Sequence, residues 1–231
     1  DADVLLINKP AGMLSQPDDT KEPSMVEYVI GYLLEKGELT EEDLRTFRPS
    51  VCNRLDKNTS GIIAAGKSLA GLQELSELFH DRTVHKEYLC IVKGVLREKK
   101  HIKGYLYKDT KQNKVAIYKQ KQKEAQPIET VYEPLEDNGE VTLLKVGLIT
   151  GRTHQIRVHM KHIGHPLPGD FLYNPDYRLI GRQALHSWQL DFIHPIKKEP
   201  LHFEAPLPED MRRLFGQETN TVPPSQRSPF G

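Results

Sequence analysis

Between residues 84 and 149 the chain runs through β-forming segments whose connections are too short for a crossover helix. Val84–Val92 is rich in β-formers and stops near Gly94. Further strands are predicted near 101–107, 113–118, 127–134 and 140–149. Parallel neighbours need a crossover of about a dozen residues or more, so these segments must pair antiparallel. The flanks add short strands at Val4–Ile7, Val51–Leu55, Ile62–Ala65, 184–193 and 201–204. Ser24-x-x-Glu27 is a capping box, and apolar residues from Met25 to Leu34 follow at helical spacing, so a helix is predicted over 25–36. Leu69, Leu72, Leu75 and Leu78 mark a second helix, Thr153 is a predicted N-cap for a third over 154–163, and a short one fits 208–215. The pattern is α+β: a mixed, mainly antiparallel sheet with helices outside it.

The 231 residues suffice for one large domain, read here as 1–215, with a polar, Pro-rich tail over 216–231. The abrupt entry into a strand suggests that something is missing upstream. No stretch approaches the roughly 18 apolar residues of a membrane span, and no signal peptide is visible. Cys52 and Cys90 form no C-x-x-C unit and read as thiols in apolar surroundings, which suits a cytoplasmic protein. A monomer is expected.

Lys plus Arg and Asp plus Glu both total 32, so a general cationic attraction to nucleic acid is absent. Any polyanion site must come from local clustering. Residues 1–50 hold 5 basic and 11 acidic residues, whereas 81–125 hold 13 and 5. Residues 145–165 hold Lys145, Arg152, Arg157 and Lys161, no acid and four histidines, interleaved with apolar residues. The lysines of 97–123 also fit a merely solvated face.

Three segments carry candidate chemistry. In Asn53-Arg54-Leu55-Asp56-Lys57, a strand over 51–56 would point Arg54 and Asp56 to one face and Leu55 to the core. Asp56 would then sit at a strand end before Asn58-Thr59-Ser60-Gly61, where a catalytic group fits but the segment by itself favours a mere turn former. In Gly151-Arg152-Thr153-His154-Gln155-Ile156-Arg157, Arg152 precedes a helix N-terminus and could hold a carboxylate or phosphate, or form a surface ion pair. Tyr88 in Lys86-Glu87-Tyr88-Leu89 is a core residue or a face on which a base stacks. His154, His159, His162 and His165 suggest a metal-dependent hydrolase, but Gly164 interrupts the helix and Arg157 and Lys161 would repel a cation.

Taken in order, Asn8-Lys9-Pro10-Ala11-Gly12, Arg54-Leu55-Asp56 with Thr59-Ser60-Gly61, Lys86-Glu87-Tyr88-Leu89 and Gly151–Arg157 resemble the RluA-type pseudouridine synthases. So do Gly164-His165-Pro166, Gly169-Asp170-x-Leu172-Tyr173, Ala184-Leu185-His186 and Phe203-x-Ala205-Pro206-Leu207-Pro208. The resemblance implies that Asp56 is the essential aspartate and that Tyr88 stacks on the target base. It implies that Arg152 pairs with the aspartate, and that Arg54 enters the RNA where the uridine has flipped out. Lys57, Thr153, His154, Gln155, Arg157 and Lys161 would line the RNA cleft. No cofactor or metal is implied, and the partner is RNA, ribosomal ahead of transfer RNA. Asn53 stands where many relatives carry His, and many relatives carry an S4-type RNA-binding domain upstream. A non-catalytic RNA-binding module on this fold is the alternative.

Overall fold

The computed structural model describes residues 1–109, 114–118, 120–121 and 123–215. The predicted tail over 216–231 lies outside them. Ten strands form one sheet: β1 (Val4–Lys9), β2 (Ser50–Val51), β3 (Ser60–Gly66), β4 (His85–Lys93), β5 (Lys100–Asp109), β6 (Lys114–Tyr118), β7 (Gln126–Asp137), β8 (Val141–Leu148), β9 (Leu185–Ile193) and β10 (Pro200–Glu204). The order is β1-β3-β9-β4-β8-β7-β5-β6, with β2 on β3 and β10 on β9. All pairings are antiparallel except β3 with β9, where Ser60 and Gly61 face His186 and Ser187. Four helices accompany it: α1 (Met25–Glu35), α2 (Leu69–His80), α3 (Gln155–His162) and α4 (Glu209–Arg212).

The capping box forms as predicted. Ser24 accepts from the Val26 N–H, while the Glu27 carboxylate accepts from the Ser24 N–H at 2.8 Å. Behind it α1 buries Met25, Val29, Ile30 and Leu33 in one cluster with Cys90, Val92, Leu144 and Met160. Each such side chain contributes roughly 1.5–3 kcal/mol relative to staying in water. Gly61 has φ +114°, and a Cβ there would come 2.1 Å from the Ser187 carbonyl oxygen. Only glycine lets β3 and β9 approach this closely.

Two local expectations fail. The strand expected over 51–56 stops at Val51; the Cys52 N–H still reaches the Ala64 carbonyl at 2.7 Å, and residues 52–59 then form an irregular loop. The Asn53 amide spans that gap, accepting from the Ala64 N–H at 2.8 Å and donating to the Ile62 carbonyl at 3.3 Å. Leu55 is nonetheless buried and Arg54 exposed. Thr153 is not an N-cap: α3 starts at Gln155 after His154, which is left-handed at φ 56°. Gln155 serves the start of the helix instead, its Oε1 accepting from the Arg152 N–H at 3.1 Å and the Thr150 hydroxyl at 2.8 Å.

Candidate active site

The loop carrying Asp56 is tethered from below. Ser15 donates to the Leu55 carbonyl at 2.8 Å and accepts from the Leu55 N–H at 3.0 Å. Lys9 is fully buried, and its ammonium donates to the carbonyls of Pro10, Met13 and Lys57 at 2.9, 2.9 and 3.0 Å. Burial pulls its pKa down to about 8, with the charge of Asp56 acting the other way. Three carbonyls and a nearby carboxylate thus fix a cation under the residue that follows Asp56.

Above the loop, Asp56 Oδ2 accepts from Arg157 Nη1 at 2.7 Å. Arg157 turns its other edge to Asp170, donating from Nε at 2.7 Å and from Nη2 at 2.8 Å. Its side chain is 2% exposed and that of Asp170 1%, whereas Asp56 keeps 28%. Burial works against the guanidinium, yet its bonds to Asp170 and the charge of Asp56 hold its pKa above the ordinary value. The Arg157 guanidinium lies 5.1 Å from the Tyr173 ring centroid and 5.8 Å from that of Phe171. The second oxygen, Asp56 Oδ1, faces His154 Nε2 at 3.8 Å, beyond hydrogen-bond reach. The Nδ1 of His154 is 2.9 Å from the Tyr173 hydroxyl. Tyr88 is buried beside this group; desolvation, then the charge of Asp56, push its phenol up to about 12. It stays protonated at neutral pH.

The expectation that Arg152 pairs with Asp56 is therefore corrected. Arg152 is exposed on the turn before α3, and Arg157, one helical turn further in, reaches the carboxylate. Arg157 was expected on RNA, but its donors are committed to Asp56 and Asp170 in a buried position. Gln155 is also removed from the RNA face: it is buried, and its Nε2 donates to the Glu129 carbonyl and the Thr130 hydroxyl, both at 3.0 Å. Arg54, Thr153 and Lys161 are exposed, and Lys57 is exposed with an ion pair to Glu22 at 2.6 Å. The four histidines part company: His154 meets Tyr173, His159 meets Thr130 at 2.8 Å, His165 meets the Lys93 carbonyl at 2.8 Å, and His162 is exposed. Among the described residues no group of three His, Cys, Asp or Glu side chains is placed to hold a metal ion.

Sequence reasoning missed Lys9, Asp170 and Tyr173 as parts of the site. Their segments carried the resemblance, but nothing local shows that Asp170, 114 positions after Asp56, shares an arginine with it.

A buried guanidinium clamps a partly exposed carboxylate beside a protonated tyrosine, on a mainly antiparallel sheet. The sequence profile of the RNA pseudouridylate synthase family matches residues 3–162. An uncharacterized RNA pseudouridine synthase of Chlorobaculum parvum is 37% identical over 98% of this chain and 75% of its own length. The ribosomal large subunit pseudouridine synthase D of Nitrosomonas europaea is 32% identical over 99% of this chain and 66% of its own. The solved structure of human RNA pseudouridylate synthase domain containing 4 shares the fold, with a TM-score of 0.74 at 21% identity over 94% of this chain and 90% of that one. The chain belongs to the RNA pseudouridylate synthase family. It is thus an isomerase acting on RNA, an RNA pseudouridine synthase.

Proposed function

We propose that the chain isomerises uridines of large-subunit ribosomal RNA and that the Asp56 carboxylate is the reacting group. Relatives named as ribosomal large subunit pseudouridine synthase D, at 32–34% identity, support the choice of RNA. Asp56 itself supports the chemistry: one oxygen is locked to Arg157 and the other is open in a partly exposed cleft.

In the reaction the N1–C1′ bond breaks, the uracil turns, and C5 bonds to C1′. C5 loses a proton and N1 gains one, so nothing is oxidised or reduced. Oδ1 is the oxygen that attacks C1′ or C6, or takes the C2′ proton. Arg157 stops the carboxylate from rotating and offsets the cost of desolvating it. Unstacking the uridine costs a few kcal/mol, offset in part by the Tyr88 ring against the base and the exposed Arg54 in the gap.

Asp56→Asn is expected to abolish product and to hold RNA within a few-fold of the parent affinity. Product at a normal rate from this variant sinks the assignment. Mapping pseudouridines in cells with and without the gene tests the substrate. A missing site in large-subunit ribosomal RNA is expected; one confined to transfer RNA overturns the first choice.

A further inference from the structure

His154 stands where the turn after β8 becomes α3, and its imidazole is fixed from several sides. Its carbonyl accepts from the Val158 N–H at 3.0 Å, opening the helix, while its own backbone is left-handed at φ 56°. That conformation is uncommon for a residue with a Cβ and is concentrated at functional sites. Only 11% of the side chain is exposed. The ring nitrogen Nδ1 lies 2.9 Å from the Tyr173 hydroxyl, and the two rings meet edge to face with centroids 5.7 Å apart. Tyr173 is itself anchored: its N–H donates at 3.2 Å to Asp170, the carboxylate that grips Arg157.

These contacts decide which nitrogen carries the proton. Burial pushes the Tyr173 phenol up to about 12, so it keeps its hydrogen at neutral pH. Val115 of β6 also hydrogen-bonds that oxygen through its backbone, in the sense that favours the phenolate, which is the sense of an N–H donor. With Val115 donating to the oxygen, the phenol gives its own hydrogen to His154 Nδ1. A neutral imidazole that accepts at Nδ1 carries its proton at Nε2. Burial keeps the ring neutral by pulling its pKa below the ordinary histidine value; the charges of Asp56 and Asp170 work against this, and those of Arg157 and Lys108 with it.

The Nε2–H is therefore a donor in search of an acceptor. Asp56 Oδ1 is 3.8 Å away, too far for a hydrogen bond, and no other acceptor among the described residues bonds it. Donor and reacting oxygen flank one gap. Breaking N1–C1′ leaves the electron pair on the uracil, which spreads it over N1, O2 and O4; attack at C6 likewise loads O4. We propose that His154 is a catalytic residue whose Nε2–H donates a hydrogen bond to the uracil oxygen that gains this charge. The imidazole keeps its proton throughout: C5 still loses one and N1 still gains one. A donor set in place before the charge develops costs no reorganisation when it does, and a neutral imidazole can serve as that donor. This rests on the reading of Asp56 as the reacting group.

The test compares two amides, measuring pseudouridine formation on RNA purified from cells lacking the gene. Asparagine suits the left-handed backbone but is too short to place a donor near the Nε2 position; glutamine suits that backbone less and reaches further. His154→Asn should lower kcat about 10²-fold or more, the cost of one such donor, with KM little changed. His154→Gln should recover a large part of that loss. A purely structural role ranks the two the other way, and asparagine at or above glutamine overturns the proposal. Parent rates in both variants overturn it as well. Imidazole nitrogen NMR shifts of the parent protein should show a neutral ring with its proton on Nε2 at about pH 7. A charged ring or a proton on Nδ1 overturns the proposal, even if neither variant folds. Failure of the Asp56 reading would show elsewhere, as product formed by Asp56→Asn, with the tautomer and the ranking of the two amides still standing.

Discussion

Basic residues do opposite work in two regions of this enzyme. Around the site, Lys9 and Arg157 are buried, and their donors are committed to carbonyls and to two carboxylates. Along the β5–β7 ribbon the lysines stand in water: Lys103 meets Glu129 at 3.1 Å with 65% of its side chain exposed, and Lys99 meets Glu133 at 3.3 Å with 64% exposed. The same residue types are worth very different amounts. Removing one partner of a buried pair strands a charge and costs about 3–5 kcal/mol, whereas an exposed pair contributes about 0.2–1 kcal/mol. Buried cations here set geometry, and exposed ones hold only weak, solvent-screened ion pairs.

The sharpest way to break that contrast is Asp170→Ala. It leaves Arg157 buried with half its partners and should cost about 3–5 kcal/mol of stability in a urea titration. A loss no larger than that of a surface pair would show that the guanidinium reaches water. Next comes a paired comparison of arginines. Arg157→Lys keeps the charge and loses the planar fork that spans Asp56 and Asp170, so single-turnover rates should fall by about 10²-fold or more, as when a positioning group is misplaced. Arg152→Ala, exposed and not bonded to Asp56, should keep most of the rate. The reverse ranking would return the pairing role to Arg152.

Lys9 sharpens the contrast through pH. Its pKa in the folded protein is about 8, below that of an ordinary lysine, so it sheds its proton before the unfolded chain does. Between about pH 8 and the ordinary lysine value near 10.4, the unfolded state binds more protons, and stability from this group rises with pH. The neutral amine meanwhile has one donor fewer for three carbonyls, and the Asp56 loop loosens. Stability and rate should therefore move in opposite directions over that window, and Lys9→Met should show neither trend. Rates that hold flat while Lys9 titrates would refute the tethering role. The smallest effect belongs to the ribbon: Lys103→Ala should change stability by less than about 1 kcal/mol, and by less still at high salt.

How much of this was legible in the sequence depends on how local each cause is. The strands from β4 to β8 and the α1 capping box follow from neighbouring residues, and they formed nearly where the pattern placed them. The loop at 52–59 was read as strand because Val51 to Leu55 alternates. Its actual supports are Ser15 and Lys9, some 40 positions upstream, which no window detects. The choice between Arg152 and Arg157 is of the same kind. Helix register and the distant Asp170 decide it, and neither can be seen within Gly151–Arg157. The set of segments singled out Asp56, which the structure places against Arg157, but that partner was not legible in them.

The parallel contact between β3 and β9 carries a consequence for synthesis. Ser60 bonds to His186 across 126 positions, with the two backbones pressed together at Gly61. During translation Asp56 leaves the ribosome long before the strand that must lie beside its loop exists. At roughly 5–20 residues per second, that gap lasts about 6–25 s. Over that time the nascent chain is an edge without its neighbour and an acid without its arginine. The carboxylate acquires its clamp only once Arg157, 101 positions later, has also been made.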